Sequence, residues 1–108
     1  MKSVKRFDIY WVDLDPTKGS EIRKTRPCVI ISPDELNSTL RTVMVIPLTS
    51  TIVGWPFRTV IESTPKQSSA ACDQLRTISK ERLQARIGTL TATEKNAILG
   101  ILQDMFTE

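Results

Sequence analysis

Residues 7–14, Phe7-Asp8-Ile9-Tyr10-Trp11-Val12-Asp13-Leu14, are rich in aromatic and β-branched side chains and partly alternate with acidic ones. This is the pattern of a half-buried strand. Asp15-Pro16-Thr17-Lys18-Gly19-Ser20 breaks it as a turn, and a loop runs on to Arg26-Pro27. Proline disfavours helix at the residue before it, so Pro27 suits a strand's start or a sheet edge. Cys28-Val29-Ile30-Ile31-Ser32 has no alternation and predicts a second strand, buried on both faces. Ser32-Pro33-Asp34-Glu35 predicts a short helix with Ser32 as its N-cap, ending near Asn37-Ser38.

Residues 42–49 predict a third strand, with Pro47 marking a bulge or an edge. A loop over residues 50–56 leads to a fourth strand at 57–62. A polar loop over 63–69 leads to a fifth strand at 70–75. Residues 79–83 predict one helical turn, and 85–90 an extended stretch. The chain closes with its clearest signal. Thr91 and Glu94 have the spacing of a capping box, and Ile98, Leu99, Ile101, Leu102, Met105 and Phe106 recur at helical intervals. Short strands followed by an amphipathic helix predict an α+β domain, residues 1–108, built on a small, partly closed antiparallel barrel.

Composition narrows the chemistry. With 108 residues the chain is long enough for one hydrophobic core. It has no apolar stretch of membrane-spanning length, and no apolar segment follows the basic residues at its start. We therefore expect a cytoplasmic protein without a membrane association. Cys28 and Cys72 lie in apolar runs and read as buried, reduced thiols. The chain has no histidine, which excludes Ser-His-Asp hydrolysis and paired-histidine ribonuclease chemistry; with two cysteines it also lacks the ligands of a structural zinc site. The net charge of +3 is a weak pointer to nucleic acid. The crowding of Lys18, Arg23, Lys24 and Arg26 in one turn-rich segment is a sharper one, read as either a solvated loop or a phosphate-facing one.

Four motifs occur in order: Tyr10-Trp11-Val12-Asp13-Leu14-Asp15-Pro16 running to Gly19-Ser20-Glu21; Arg26-Pro27 before an apolar strand; Ile46-Pro47-Leu48-Thr49-Ser50; and Asp73-Gln74-Leu75-Arg76-Thr77-Ile78. Together they resemble the MazF/PemK toxin family over nearly the whole chain. That resemblance implies an SH3-like barrel that forms a homodimer. It also implies sequence-specific, metal-independent cleavage of single-stranded RNA, with no cofactor, leaving cyclic phosphate and 5′-hydroxyl ends. An acidic antitoxin is implied as the inhibitory partner.

By the same resemblance, Arg26 matches the family's catalytic arginine. A guanidinium offers a planar fork of donors to phosphate oxygens and stays protonated near neutrality. It is therefore expected to stabilise the negative phosphorane, with proton donation as a second reading. Thr49 is expected beside it, its hydroxyl on the scissile phosphate, or else as an ordinary strand residue. Ser50 adds a second hydroxyl. Ser20 stands where some relatives carry histidine.

Glu21 has three readings: orienting Arg26, reading a base edge, or acting as a solvated loop carboxylate. Lys18, Arg23 and Lys24 are candidate phosphate contacts. Asp73, Gln74 and Arg76 are expected either to position RNA or to form an internal network around Arg76. The arginine that some relatives carry two residues before the aspartate is Ala71 here, so an arginine–aspartate pair is not expected. Trp55 is read as a base-stacking platform or a dimer contact. Phe57 and Trp11 are read as core or interface. Two other functions compete: a CcdB-like gyrase poison on the same architecture, and a non-catalytic RNA-binding module.

Overall fold

The computed structural model describes residues 3–15, 18–22 and 24–108; the turn positions Pro16 and Thr17 and the candidate contact Arg23 lie outside them. Among the described residues, seven strands and two α-helices follow in the order β1 (Asp8–Asp13), β2 (Thr25–Ile30), α1 (Asp34–Thr39), β3 (Thr42–Thr49), β4 (Arg58–Ile61), β5 (Ser68–Ala71), β6 (Arg76–Ser79), β7 (Leu83–Thr89) and α2 (Ala92–Met105). Single 3-10 turns at Cys72–Gln74 and Lys80–Arg82 join β5 to β6 and β6 to β7.

The strands run antiparallel in the order β4-β5-β3-β2-β1-β7. β6 pairs with β3 beside that path. The sheet is not closed: among the described residues the path ends at β4 and at β7. The expected barrel is thus a strongly branched open sheet, with the branch on β3. Its first half, Thr42 to Val45, faces β6, while Leu48 and Thr49 face β5. Pro47 falls where β3 changes partner, a position where a residue without an N–H costs least.

The unbroken apolar run of β2 is explained by core on both sides. Cys28 and Ile30 join Tyr10, Val12, Val43 and Val45 in one buried cluster. Val29 joins Ile9, Ile46, Leu48, Ile61 and Ile98 in another. The helix α2 covers the second cluster with Ile98 and with half-buried Leu99, Ile101 and Leu102. Its N-terminus carries the expected capping box between Thr91 and Glu94. The apolar face stops short of the end, because Met105 and Phe106 are exposed.

Several boundaries differ from expectation. β2 begins at Thr25, because the steric effect of Pro27 holds Arg26 extended and lets it join the strand opposite Val12. Ser32 is not the cap of α1. Its hydroxyl donates to Asn37 Oδ1 and accepts from the Met44 N–H at 3.0 Å, and Pro33 occupies the cap position with no side-chain bond. The expected fifth strand lies earlier, at Ser68–Ala71, and turns at Cys72. β6 was not legible, having one buried residue, Ile78. Phe57 is half-buried and precedes β4.

Candidate active site

The register of β2 on β3 sets the geometry. Cys28 pairs with Pro47 and Val29 with Ile46, so the same register continued two residues outward sets Arg26 against Thr49. Opposed residues share a face of the sheet. Arg26 and Thr49 do line one groove, of about 410 Å³, with Ser50 next to Thr49. The groove's apolar lining includes Pro27, Leu48 and Trp11. Trp11 lies opposite Pro27 in β1, is 36% exposed and lines the groove, so of the two expected readings, core or interface, the core one does not hold.

The far wall was not foreseen. It is the β4–β5 turn, whose Thr64, Pro65, Lys66 and Gln67 line the groove together with Ser68. The polar composition of this segment marked it as a loop, but only the long-range pairing of β5 with β3, Thr49 opposite Ser69, carries it to Arg26. Thr25 completes the lining.

The electrostatics follow from composition. Two cations, Arg26 and Lys66, face the groove, and no carboxylate lines it among the described residues. Five hydroxyl residues line it, Thr25, Thr49, Ser50, Thr64 and Ser68; the Thr64 hydroxyl donates to the Lys66 carbonyl and meets the Ser68 hydroxyl at 3.3 Å, so the neutral donors offered to a ligand come from the others. The Thr49 oxygen accepts the Thr51 N–H at 3.2 Å, which fixes the hydroxyl as an acceptor on that side and directs its own hydrogen elsewhere. An oxyanion held between a guanidinium and hydroxyl donors, away from carboxylates, is the ligand such a lining suits best.

The other candidates separate into two groups away from this groove. In the β1–β2 loop, Lys18, Ser20, Glu21 and Lys24 are exposed. The Glu21 carboxylate accepts the Lys18 N–H at 2.8 Å, closing its own turn. Lys24 takes a left-handed backbone (φ 69°), held by the Asp15 carboxylate on its N–H at 3.0 Å. Arg76 braces this loop by donating to the Ile22 carbonyl at 2.9 Å, and it lines a second cavity with Glu21 and Arg82.

The third group surrounds Asp73. Its carboxylate accepts a forked pair of bonds from Arg58, at 2.8 and 3.1 Å. The network expected around Arg76 is centred on Arg58 instead. Arg58 lies opposite Ala71 across β4 and β5, so the arginine–aspartate pair missing from the local sequence is supplied by the neighbouring strand. The bond from Arg58 first, and then backbone and Gln74 hydrogen bonds, hold the Asp73 carboxyl below its ordinary range against the opposing effect of burial. The Arg58 guanidinium also lies 4.8 Å from the centre of the Trp55 ring, and Trp55 lies 5.5 Å from Phe57. Trp55 is 49% exposed and does not line the groove. Arg58, at the hub of this cluster, had no sequence signal, because its partner lies 15 residues away.

Neither thiol is among the groove's lining residues. Both are free and buried, and burial pushes Cys28 up to about 12 and Cys72 up to about 11. No helix among the described residues is long and apolar enough to cross a membrane.

Residues 5–106 match the sequence model of a family described as PemK-like, MazF-like toxin of type II toxin-antitoxin system. The Mycobacterium tuberculosis protein named endoribonuclease MazF9 is 36% identical over 101 residues, covering 84% of this chain and 86% of its own length. Crystalline MazF from Deinococcus radiodurans has the same fold at a TM-score of 0.87, with 20% identity and 97% of each chain covered. A mycobacterial endoribonuclease in complex with its cognate antitoxin superposes at 0.80, with 24% identity, over 94% of this chain and 92% of that one. At those identities the structures speak for the fold alone, whereas the family match spans nearly every residue. The chain belongs to the PemK-like, MazF-like toxin family of type II toxin–antitoxin systems.

Proposed function

We propose that this chain is a sequence-specific endoribonuclease, and that it cuts single-stranded RNA in the groove between Arg26 and Thr49. The observation that carries the reading is that these two residues, brought together from β2 and β3, share a cationic groove with no carboxylate among its described lining residues. The relative named an endoribonuclease supports the reaction class. The gyrase-poison reading is not favoured, because the matching family is PemK-like and MazF-like.

The chemistry begins with the ribose 2′-oxygen. It attacks the adjacent phosphorus and loses its proton to water, and the bond from phosphorus to the 5′-oxygen breaks. The departing oxygen takes up a proton, and the products are a 2′,3′-cyclic phosphate and a 5′-hydroxyl. The phosphorane between these events carries extra negative charge on its non-bridging oxygens. Arg26 meets that charge with forked donors, and the Thr49 hydroxyl adds one more. Neither residue has to give up a proton in this scheme, which suits a chain without histidine. No metal or cofactor is required.

Lys18, Lys24, Arg23 and Lys66 guide the phosphate backbone, while Ser20, Glu21, Ser50, Gln74 and Arg76 border the strand's path. Trp55, backed by Arg58 and Phe57, and Asp73 form an outlying contact. A cognate acidic antitoxin blocks the same cationic groove, the chain works as a homodimer, and it acts in the cytoplasm. The complex of the mycobacterial neighbour with its antitoxin supports the partner.

The test is to incubate the protein with a long single-stranded RNA in excess chelator and to analyse the new ends. Cyclic phosphate and 5′-hydroxyl ends at short recurring sequences are expected. A single deoxynucleotide at the scissile position must stop the cut while binding persists. Intact RNA, or cleavage of the deoxy substrate, contradicts the reading.

A further inference from the structure

The capping box of α2 does more than cap. Its own requirement is met by the bonds between Thr91 and Glu94: the Thr91 N–H donates to Glu94 Oε1 at 3.0 Å, and the Glu94 N–H donates to Thr91 Oγ1 at 3.2 Å. The Glu94 carboxylate, 9% exposed, then accepts two more hydrogen bonds from the two residues that follow β4. The Glu62 N–H donates to Oε2 at 2.7 Å, and the Ser63 hydroxyl donates to Oε1. Burial opposes ionisation of this carboxyl, but the bonds from Ser63, Thr91 and Glu62 outweigh it and hold the group below its ordinary range.

Glu62 and Ser63 lead directly into Thr64–Gln67, which line the groove together with Arg26. That turn is also braced from within. The Thr64 hydroxyl donates to the Lys66 carbonyl, and the Gln67 amide donates to the Glu62 carboxylate at 3.2 Å. On the other side, Gly88 of β7 approaches so closely that a Cβ there would lie 3.3 Å from the Ser63 carbonyl oxygen. The pairing of β4 with β5, and of β5 with β3, brings this turn to the groove; a turn that is also braced inside, closely packed at Ser63 and bonded twice to a buried carboxylate is further held in place by α2.

We infer that Glu94 is a positioning residue for the RNA site: through Ser63 and Glu62 it holds the Thr64–Gln67 wall, and with it Lys66, at a fixed place in the groove that Arg26 also lines. Glu94 touches no substrate. The inference rests on the ribonuclease reading of the groove. A preformed wall serves substrate binding rather than bond breaking, so its loss raises KM and leaves kcat nearly unchanged.

The experiment measures KM and kcat on a short RNA containing a mapped cut site, with thermal unfolding of each protein alongside. Ser63→Ala and Glu94→Gln are expected to raise KM about fivefold or more with kcat changed by no more than about twofold. Thr91→Ala removes the cap hydroxyl without touching Ser63 or Glu62; it is expected to lower Tm while keeping KM within about twofold of wild type. Adding Lys66→Gln to Ser63→Ala is expected to raise KM by less than the two single effects multiplied, because both act through the same cation.

Wild-type KM in Ser63→Ala overturns the assignment, as does a rise in KM for Thr91→Ala equal to that for Glu94→Gln, which marks Glu94 as a helix cap only. If Glu94→Gln does not fold, Ser63→Ala decides alone. A wild-type protein that cuts none of a set of RNAs overturns the ribonuclease reading and this assignment with it, whereas a cutting wild type with an unaffected Ser63→Ala overturns this assignment only.

Discussion

Arg58 faces Ala71 across two strands and reaches forward to Asp73, where its Nε lies 2.8 Å from the carboxylate. The pair is partly solvated, with the Asp73 side chain 29% exposed and that of Arg58 10%. It ties the edge strand β4 to the turn after β5, and it positions Arg58 beneath the exposed ring of Trp55.

Breaking that pair has a signed pH consequence. The folded carboxyl is held below its unfolded value, chiefly by Arg58. Its stabilisation is therefore fully present above an unfolded pKa of about 3.9 and is lost as pH falls through the folded value. Asp73→Asn should cost about 1 kcal/mol at neutral pH, a figure discounted for the solvation of the pair, and should flatten the decline of stability in acid. Denaturant unfolding at pH 7 and pH 3 checks both parts; an unchanged acid dependence would remove Asp73 from the account.

Trp11 lies on the groove rather than in the core, so its removal should be felt by RNA before it is felt by the fold. Trp11→Ala should weaken binding of a non-cleavable oligonucleotide by about 1–3 kcal/mol, the usual worth of one stacked base. Fluorescence anisotropy measures this, and wild-type affinity would return Trp11 to a structural role.

Lys66 should act without regard to sequence. Lys66→Gln is expected to weaken binding to different single strands alike, and to reduce the slope of log affinity on log salt by about 0.7. Titrations at several salt concentrations read the slope directly. A selective loss for one sequence would mean that Lys66 reads a base rather than a phosphate.

The end of α2 is a test of packing. Ile98 is fully buried in the second core cluster, and Met105, one of the same helical series, is 40% exposed. Ile98→Ala should cost about 2–5 kcal/mol and Met105→Ala within about 0.5 kcal/mol of nothing, by denaturant unfolding.

The elements that were legible in the sequence are those written in local pattern. The capping box at Thr91 and the apolar series of α2 needed only neighbours within a few turns of helix. The unalternating run at Cys28 announced a strand buried on both sides. What was not legible depends on partners far along the chain. β6 has one buried residue, and its pairing with β3 is decided by the sheet and not by its own composition. The last residues of α2 follow the helical period but project beyond the surface they were expected to cover. At the candidate site, Arg26, Thr49 and Ser50 were identified from their motifs and do share a groove. Asp73, Gln74 and Arg76 come from a motif and Trp55 from its aromatic ring, yet none of the four lines that groove. Lys66 sits in a turn with no motif, and only the pairing of β5 on β3 carries it to Arg26.

The central claim is that the Arg26 guanidinium and the Thr49 hydroxyl together meet the charge that forms when RNA is cut. The most direct measurement is single-turnover cleavage of one mapped RNA site in chelator by Arg26→Ala, Arg26→Lys and Thr49→Val, each confirmed as folded by its unfolding curve. Arg26→Ala should abolish cutting. Arg26→Lys keeps the charge but loses the fork, and Thr49→Val keeps the shape but loses the hydroxyl; each should slow cleavage by on the order of 100-fold. Cleavage by folded Arg26→Ala at near the wild-type rate would contradict the account outright.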